Sequence, residues 1–99
     1  MNTSIDGQTL LVTGLQLLIA DTVADIRRKV TGDFTSHLTD IRIVVSELTM
    51  IDSSGIGLLI SLHKLACGRG GQLQIASPNE KVLLVLQVTR LDQAFEILP

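Results

Sequence analysis

The stretch "IRIVVSELTMIDSSGIGLLI", residues 41–60, joins two kinds of pattern. Its first five residues are a β-branched, nearly continuous apolar run, which is typical of a strand buried on both faces of a parallel sheet. From Ser53 or Ser54 onward the apolar residues recur at helical spacing through residue 67, and the polar stripe between them is narrow. That spacing predicts a largely buried helix, so the stretch predicts a strand that leads through a short loop into a helix.

On the amino-terminal side the predicted order is again strand and then helix. Residues 10–13, "LLVT", predict a short strand, and the polar residues 1–8 could add an antiparallel edge strand. A helix with one apolar face should follow, capped by Asp21 or Thr22. Three basic residues in its last turn and Gly32 just beyond should end it.

On the carboxyl-terminal side a further strand and helix are predicted. Residues 73–76 suit a strand, and "SPNE", residues 77–80, has the form of a capping box. Ser77 would be the N-cap, Pro78 the first helical residue and Glu80 the third, and "KVLLVLQV", residues 81–88, would continue the helix. The alternation predicts an α/β domain with a mixed, mostly parallel sheet and helices packed mainly on one face.

Length and composition limit the possible functions. The 99 residues suit a single domain, 1–99, and the formal charge of -2 argues against a nucleic-acid partner. The polar first residues lack the apolar core of a signal peptide, and no apolar run approaches a membrane span. We therefore expect a cytoplasmic protein, monomeric when free and without membrane insertion. The single cysteine, Cys67, is expected to be a buried core residue.

The segment Asp52-Ser53-Ser54-Gly55 allows two interpretations. Aspartate and serine are favoured helix caps, because their side-chain oxygens accept the free amides of the first turn. A serine hydroxyl at a helix amino terminus is also exposed, and the helix dipole tolerates a phosphate there. Phosphorylation would add about -1.5 to -2 charge beside Asp52, which would repel an acidic or apolar partner.

Catalytic and cofactor sites are not predicted. There is no G-x-S-x-G nucleophile motif, and a helix would carry His63 roughly 15 Å from Ser53. His63 is better explained as a partly buried structural residue. Two histidines and one cysteine without close spacing give no metal site. "GRGG", 68–71, follows a helix instead of preceding one, so we expect no cofactor and expect any ATP to be bound by a partner.

Residues 48–98 resemble a STAS domain of the anti-sigma factor antagonist type. The resemblance rests on the Asp-Ser-Ser-Gly-hydrophobic-Gly core at 52–57, on "GRGGQLQIASP" and on "RLDQAFEI". It implies a STAS-type fold and a non-enzymatic switch. By that resemblance Ser53 is phosphorylated by a serine kinase of the GHKL type that is also the anti-sigma factor, and a serine phosphatase removes the phosphate. The unphosphorylated domain would bind the kinase.

The resemblance and the local pattern together assign roles around Ser53. Asp52 would orient the loop, and Ser54 would cap the helix or act as a minor phosphoacceptor. Gly55 and Gly57 would keep the surface low enough for a kinase to approach. The exposed face of the helix would add further partner contacts, at Ser61 and Lys64.

The loop after Gly14 departs from the family pattern. Many members carry acidic residues there, whereas this chain has "GLQLLIA", residues 14–20, with no acid before Asp21. The expected partner-binding residues in this segment are Leu15, Leu17, Leu18 and Asp21. At least half of the apolar residues are expected to enter the core or extend a strand, and any that stay exposed would dock a partner hydrophobically.

A second function of a different class stays open. Stand-alone STAS domains also serve as cytoplasmic subunits of lipid-transport ABC complexes, and the terminal "EILP" faintly resembles such members. Those members typically carry Thr-Gly where this chain has Ser53-Ser54, so the double serine favours the switch. The sequence does not identify the kinase, the phosphatase or the process that is controlled.

Overall fold

The computed structural model describes all 99 residues. It contains seven strands, three α-helices and one 3-10 turn at Leu91–Gln93. In chain order the elements are β1 Asn2–Asp6, β2 Thr9–Thr13, β3 Leu17–Leu18, α1 Val23–Asp33, β4 Asp40–Val44, β5 Met50–Ile51, α2 Ser53–Cys67, β6 Leu73–Ala76, α3 Glu80–Val88 and β7 Glu96–Leu98.

Five strands form one sheet in the order β1-β2-β4-β6-β7. The neighbours β2, β4, β6 and β7 are parallel, and β1 pairs with β2 as an antiparallel edge strand. The predicted mixed, mostly parallel sheet is therefore confirmed. β7 was not predicted, and neither was the small second sheet, in which β3 and β5 pair in parallel.

The core lies between one face of the sheet and the helices. A single cluster of 21 buried apolar residues includes Val12 of β2, Ile43 of β4 and Ile75 of β6, together with residues of all three helices. The alternate residues of β4, such as Arg42 and Val44, are only half-buried. The expectation that residues 41–45 are buried on both faces is wrong, because the helices cover one face only.

The structure corrects the predicted end of α1. The helix continues through Gly32 to Asp33, and the backbone amide of Phe34 bonds to the Val30 carbonyl at its end. The three basic residues therefore lie in the middle of the helix. Lys29 pairs with Asp33 one turn later at 3.1 Å, a contact that spans Gly32.

The N-cap of α3 is Asn79, and the expected capping box at Ser77 is wrong. The Asn79 Oδ1 accepts the Val82 amide at 2.8 Å, and its Nδ2 donates to the Leu48 carbonyl at 3.1 Å. Ser77 lies before the helix in a left-handed conformation with φ of 57°. Asn79 thus caps the helix and ties it to the loop before β5.

Cys67 is exposed, which corrects its expected burial. It is the last residue of α2, and its Sγ lies 3.6 Å from the nitrogens of His63. The His63 ring is half-buried and packs on Phe95 with 5.2 Å between ring centroids, as a structural histidine would. None of the three helices is both long and apolar enough to cross a bilayer.

Candidate functional site

The predicted site lies where α2 begins, beside the carboxyl end of the parallel strands. β4 leads through β5 to Asp52, and Ser53 is the first residue of α2. The segment that follows β2 runs alongside, because β3 pairs with β5. The segments that follow β2 and β4 therefore meet at the start of α2, at the edge of the sheet where ligand-binding loops of such folds gather.

Asp52 joins these two segments through its carboxylate. Its Oδ1 accepts the Gly55 amide at 3.0 Å and so caps α2, while its Oδ2 accepts the Ala20 amide at 3.0 Å. The hydrogen bond from Gly55, and then that from Ala20, hold the pKa of Asp52 below its ordinary value. Asp52 is thus an ionised clamp between α2 and the β3 segment, which extends its predicted role of orienting the loop.

The two serines lie in different surroundings. Ser53 is exposed, and its hydroxyl makes no hydrogen bond within the chain. Ser54 is half-buried, and the cap that was expected of it is supplied by Asp52. Of the two, Ser53 presents its hydroxyl more openly to an approaching protein.

Gly55 has a packing role that the sequence did not indicate. It is buried, and a Cβ added there would lie 2.0 Å from the carbonyl oxygen of Leu18. The glycine therefore lets β3 lie directly against the first turn of α2, which is not the surface-lowering role expected of it. Gly57 is exposed, and no atom lies within 4 Å of an added Cβ. Of the two glycines, only Gly57 has the predicted role of keeping the surface of α2 open to an approaching protein.

The apolar segment after Gly14 lies mostly inside the fold. Leu15 and Leu18 are 3% and 1% exposed, which contradicts their assignment as partner-binding residues. Both belong to the core cluster, and Leu18 is the residue of β3 that points inward in the pairing with β5. Leu17 is 40% exposed and is the large apolar residue of this segment that a partner could reach.

Asp21 is exposed at the start of α1 and does not cap it. The N-cap is Thr22, whose Oγ1 accepts the Ile19 amide at 3.1 Å and lies 2.9 Å from the Leu17 carbonyl oxygen. The hydroxyl thus stabilises the turn that carries Ala20 towards Asp52. Asp21 places a free carboxylate beside this turn.

Ser61 and Lys64 follow Gly57 along one side of α2. Ser61 is half-buried, and its hydroxyl donates to the Gly57 carbonyl at 3.0 Å. Lys64 is exposed one turn later. The structure therefore places Ser53, Gly57, Ser61 and Lys64 on a single accessible side of the helix.

The sequence prediction missed the apolar residues next to Leu17. Met50 is 55% exposed and is the register partner of Leu17 in the β3–β5 sheet. A shallow groove of about 120 Å³ separates Met50 from Lys81 and Val85 of α3. No local pattern marks Met50, because the strand that carries it has only two residues.

The model of the STAS domain family matches residues 2–99. The chain belongs to the STAS domain family. A Thermotoga maritima protein provisionally named an anti-sigma factor antagonist is 39% identical to this STAS domain over 55 residues, which are 56% of the chain and 49% of that protein. The Bacillus subtilis anti-sigma-B factor antagonist is 26% identical over 58 residues, 59% and 53% of the two chains. The STAS domain thus spans about half the length of the curated relatives it matches.

Solved structures of similar proteins share the fold. A crystal structure of a Thermotoga maritima protein, also provisionally named an anti-sigma factor antagonist, has a TM-score of 0.87 at 24% identity, covering 99% of this STAS domain and 85% of that chain. The anti-sigma factor antagonist SpoIIAA in its unphosphorylated form has a TM-score of 0.82 at 23% identity, covering 97% and 85%. Bacillus SpoIIAA in the phosphorylated form has a TM-score of 0.73 at 22% identity, covering 97% and 88%.

Proposed function

We propose that this STAS domain is a protein-binding switch controlled by phosphorylation of Ser53. In the proposed cycle the unphosphorylated domain binds a serine kinase of the GHKL type that is also an anti-sigma factor. The kinase then phosphorylates Ser53, and a serine phosphatase restores the binding form. The domain itself is a non-enzymatic, cytoplasmic component, and the nucleotide is bound by the kinase.

The exposed, unbonded hydroxyl of Ser53 at the first position of α2 is the observation that carries this proposal. A kinase needs a hydroxyl that it can reach without unfolding its substrate, and Ser53 meets that condition better than the half-buried Ser54. Relatives named anti-sigma factor antagonists support the same class of function.

The clamp at Asp52 supports a simple electrostatic mechanism. The Asp52 carboxylate already accepts the Gly55 amide of the first turn, and it accepts the Ala20 amide as well. A phosphate on Ser53 would add about -1.5 to -2 charge next to this ionised carboxylate. The fold need not rearrange for a complementary partner to be expelled.

The surface around Ser53 suits a partner that contacts both polar and apolar groups. Leu17 and Met50 are exposed side by side on the β3–β5 sheet, and Gly57 leaves room over α2. Exposed apolar groups in a cluster often mark a protein-binding site. The proposed footprint runs from this pair over Ser53 and along α2 to Lys64.

Co-purification from the native cells tests the proposal. The tagged domain, its Ser53→Ala variant and its Ser53→Asp variant are recovered, and phosphopeptide mass spectrometry measures Ser53 in the bound and free pools; Ser54→Ala is the matched control. We expect kinase bound to the unmodified domain and to Ser53→Ala, phosphate on Ser53 in the free pool, and little kinase with Ser53→Asp. If Ser53 is unmodified in all growth states and the domain is recovered with an ABC transporter, the switch is refuted and the transport-subunit function is supported.

A further inference from the structure

The sheet has one face that no helix covers. Residues that alternate with the core residues of β2, β4 and β7 point to this face and are half-buried, as at Leu11, Val44 and Leu98. None of these three belongs to the core cluster or packs against it. The uncovered face therefore carries apolar side chains that the folded chain does not bury completely.

This exposure is unusual for a sheet of this type. Parallel sheets are normally covered on both faces, and their strands are correspondingly apolar throughout. Four of the five strands here are mutually parallel, and the run "IRIVV", residues 41–45, has the composition of a strand buried on both faces. The sequence of β4 is thus better matched to a covered sheet than to the half-open one observed.

Two adjacent rows of side chains cross this face. The pairing register aligns Val44, Ala76 and Leu98 in an apolar row. The neighbouring row contains Arg42 and Glu96, with Gln74 between them.

Hydrogen bonds hold the polar row in place. The Arg42 Nε donates to the Gln74 Oε1 at 2.8 Å, and the Gln74 Nε2 donates to the Glu96 Oε2 at 3.1 Å. The side chain of Gln72 also donates to Glu96. Arg42 forms no ion pair, and its terminal amino groups make no hydrogen bond within the chain.

We propose that the uncovered sheet face binds a second copy of this chain, as a symmetric dimer. The positive end of the polar row lies on β4 and the negative end on β7, and these strands flank β6 on its two sides. A two-fold axis parallel to β6 places Arg42 of each copy opposite Glu96 of the other. The same operation places Val44 against Leu98. The face is thus complementary to itself in charge and in apolar pattern, as an isologous interface requires.

The size of the face sets the strength of the dimer. An axis along β6 brings β4, β6 and β7 of one copy over the same three strands of the other. Three strands spaced about 4.8 Å apart and about four residues long overlap over roughly 14 by 13 Å, or about 200 Å² per copy. The two copies together bury about 400 Å², which is well below the roughly 1,200–2,000 Å² of stable complexes. The dimer should dissociate with a constant on the order of 1 mM. The monomer expected from the sequence then applies at micromolar concentration.

Sedimentation equilibrium from about 0.01 to 1 mM tests the dimer with a charge exchange. Arg42→Glu and Glu96→Arg should each weaken association at least tenfold, since each places like charges together twice. The double variant should restore the wild-type dissociation constant to within about threefold. Arg27→Glu, the same change on an exposed residue of α1, is the control and should have no effect.

A measurement on the unmodified protein covers the case in which a variant fails to fold. Methyl NMR signals of Val44 and Leu98 should shift with concentration, and those of Val88 on the outer side of α3 should not. A wild-type protein that stays monomeric up to 1 mM, a double variant that does not recover, or concentration-dependent shifts confined to α3 would each overturn the proposal. None of these outcomes depends on whether Ser53 is phosphorylated.

Discussion

Alanine at Gly55 should damage the fold, while the same change at Gly57, two residues along the same helix, should not. A Cβ at Gly55 would lie 2.0 Å from the carbonyl oxygen of Leu18 and 2.9 Å from its carbonyl carbon. Both atoms are backbone, so β3 must move by more than about 1 Å before these contacts reach ordinary van der Waals separation. At Gly57 no atom lies within 4 Å of the added carbon.

The magnitudes follow from two opposing effects. Overpacking costs about 1–3 kcal/mol, and alanine in place of glycine inside a helix contributes about 0.5–1 kcal/mol of stability. The net expectation is a loss of up to about 2.5 kcal/mol for Gly55→Ala and a gain of about 0.5–1 kcal/mol for Gly57→Ala. The helix gain is common to both variants, so they should differ by the overpacking cost of about 1–3 kcal/mol. At about 4–8 °C per kcal/mol for a domain of this size, the two melting temperatures should differ by about 4 °C or more.

Urea unfolding at 25 °C and thermal unfolding, both followed by circular dichroism, measure this difference. Hydrogen exchange at the Ala20 amide adds a local readout, because displacement of β3 should break its bond to Asp52. Equal stability of the two alanine variants, or a protected Ala20 amide in Gly55→Ala, would refute the close approach of β3 to α2.

Three further changes test the clamp, the cap and the buried part of the β3 segment. Asp52→Asn keeps one acceptor oxygen, so one of its two amide bonds is lost. In the wild type the pKa of Asp52 is lowered in the folded state. The ionised carboxylate therefore contributes its full stabilisation above about pH 4 and loses it as pH falls through the lowered pKa. The wild-type urea midpoint should then fall more steeply below about pH 4 than that of Asp52→Asn, and parallel curves would contradict the clamp. Asn79→Ala should lower the free energy of unfolding in urea by about 1 kcal/mol or more, whereas Ser77→Ala should lower it by less than about 0.5 kcal/mol. A larger loss of stability in Ser77→Ala would show that Ser77 and not Asn79 caps α3. Leu18→Ser should cost at least about 2–5 kcal/mol and Leu17→Ser less than about 0.5 kcal/mol in the same assay, and similar losses would show that Leu17 is also buried.

The main strands and helices could be predicted because each has a pattern of its own. The apolar run at 41–45 and the helical spacing after Ser53 are properties of neighbouring residues. Two-residue strands have no period, so the pairing of β3 with β5 had no local signal. The cap of α3 was predicted at the wrong residue, because the local sequence does not show that Asn79 also bonds to the Leu48 carbonyl, 31 residues away in the chain.

At the candidate site, too, the features set by neighbouring residues could be predicted, and those set by residues distant in the chain could not. The exposed serine and the helix face could be predicted from residues 52–64 alone, whereas the cap was assigned to Ser54 and is supplied by Asp52. The reason for Gly55 could not, because its neighbour is the backbone of Leu18. The fate of the apolar segment depended on the β3–β5 pairing, which turned Leu18 inward and left Leu17 at the surface.

The affinity of the domain for its kinase, measured before and after phosphorylation, tests the central claim most directly. Isothermal titration calorimetry would compare the co-purified kinase with the unmodified domain and with the domain carrying one phosphate at Ser53, located by mass spectrometry. We expect a dissociation constant at least tenfold larger for the phosphorylated form, at unchanged circular dichroism. Equal dissociation constants for the two forms, or a phosphate that the kinase places on a residue other than Ser53, would contradict the switch.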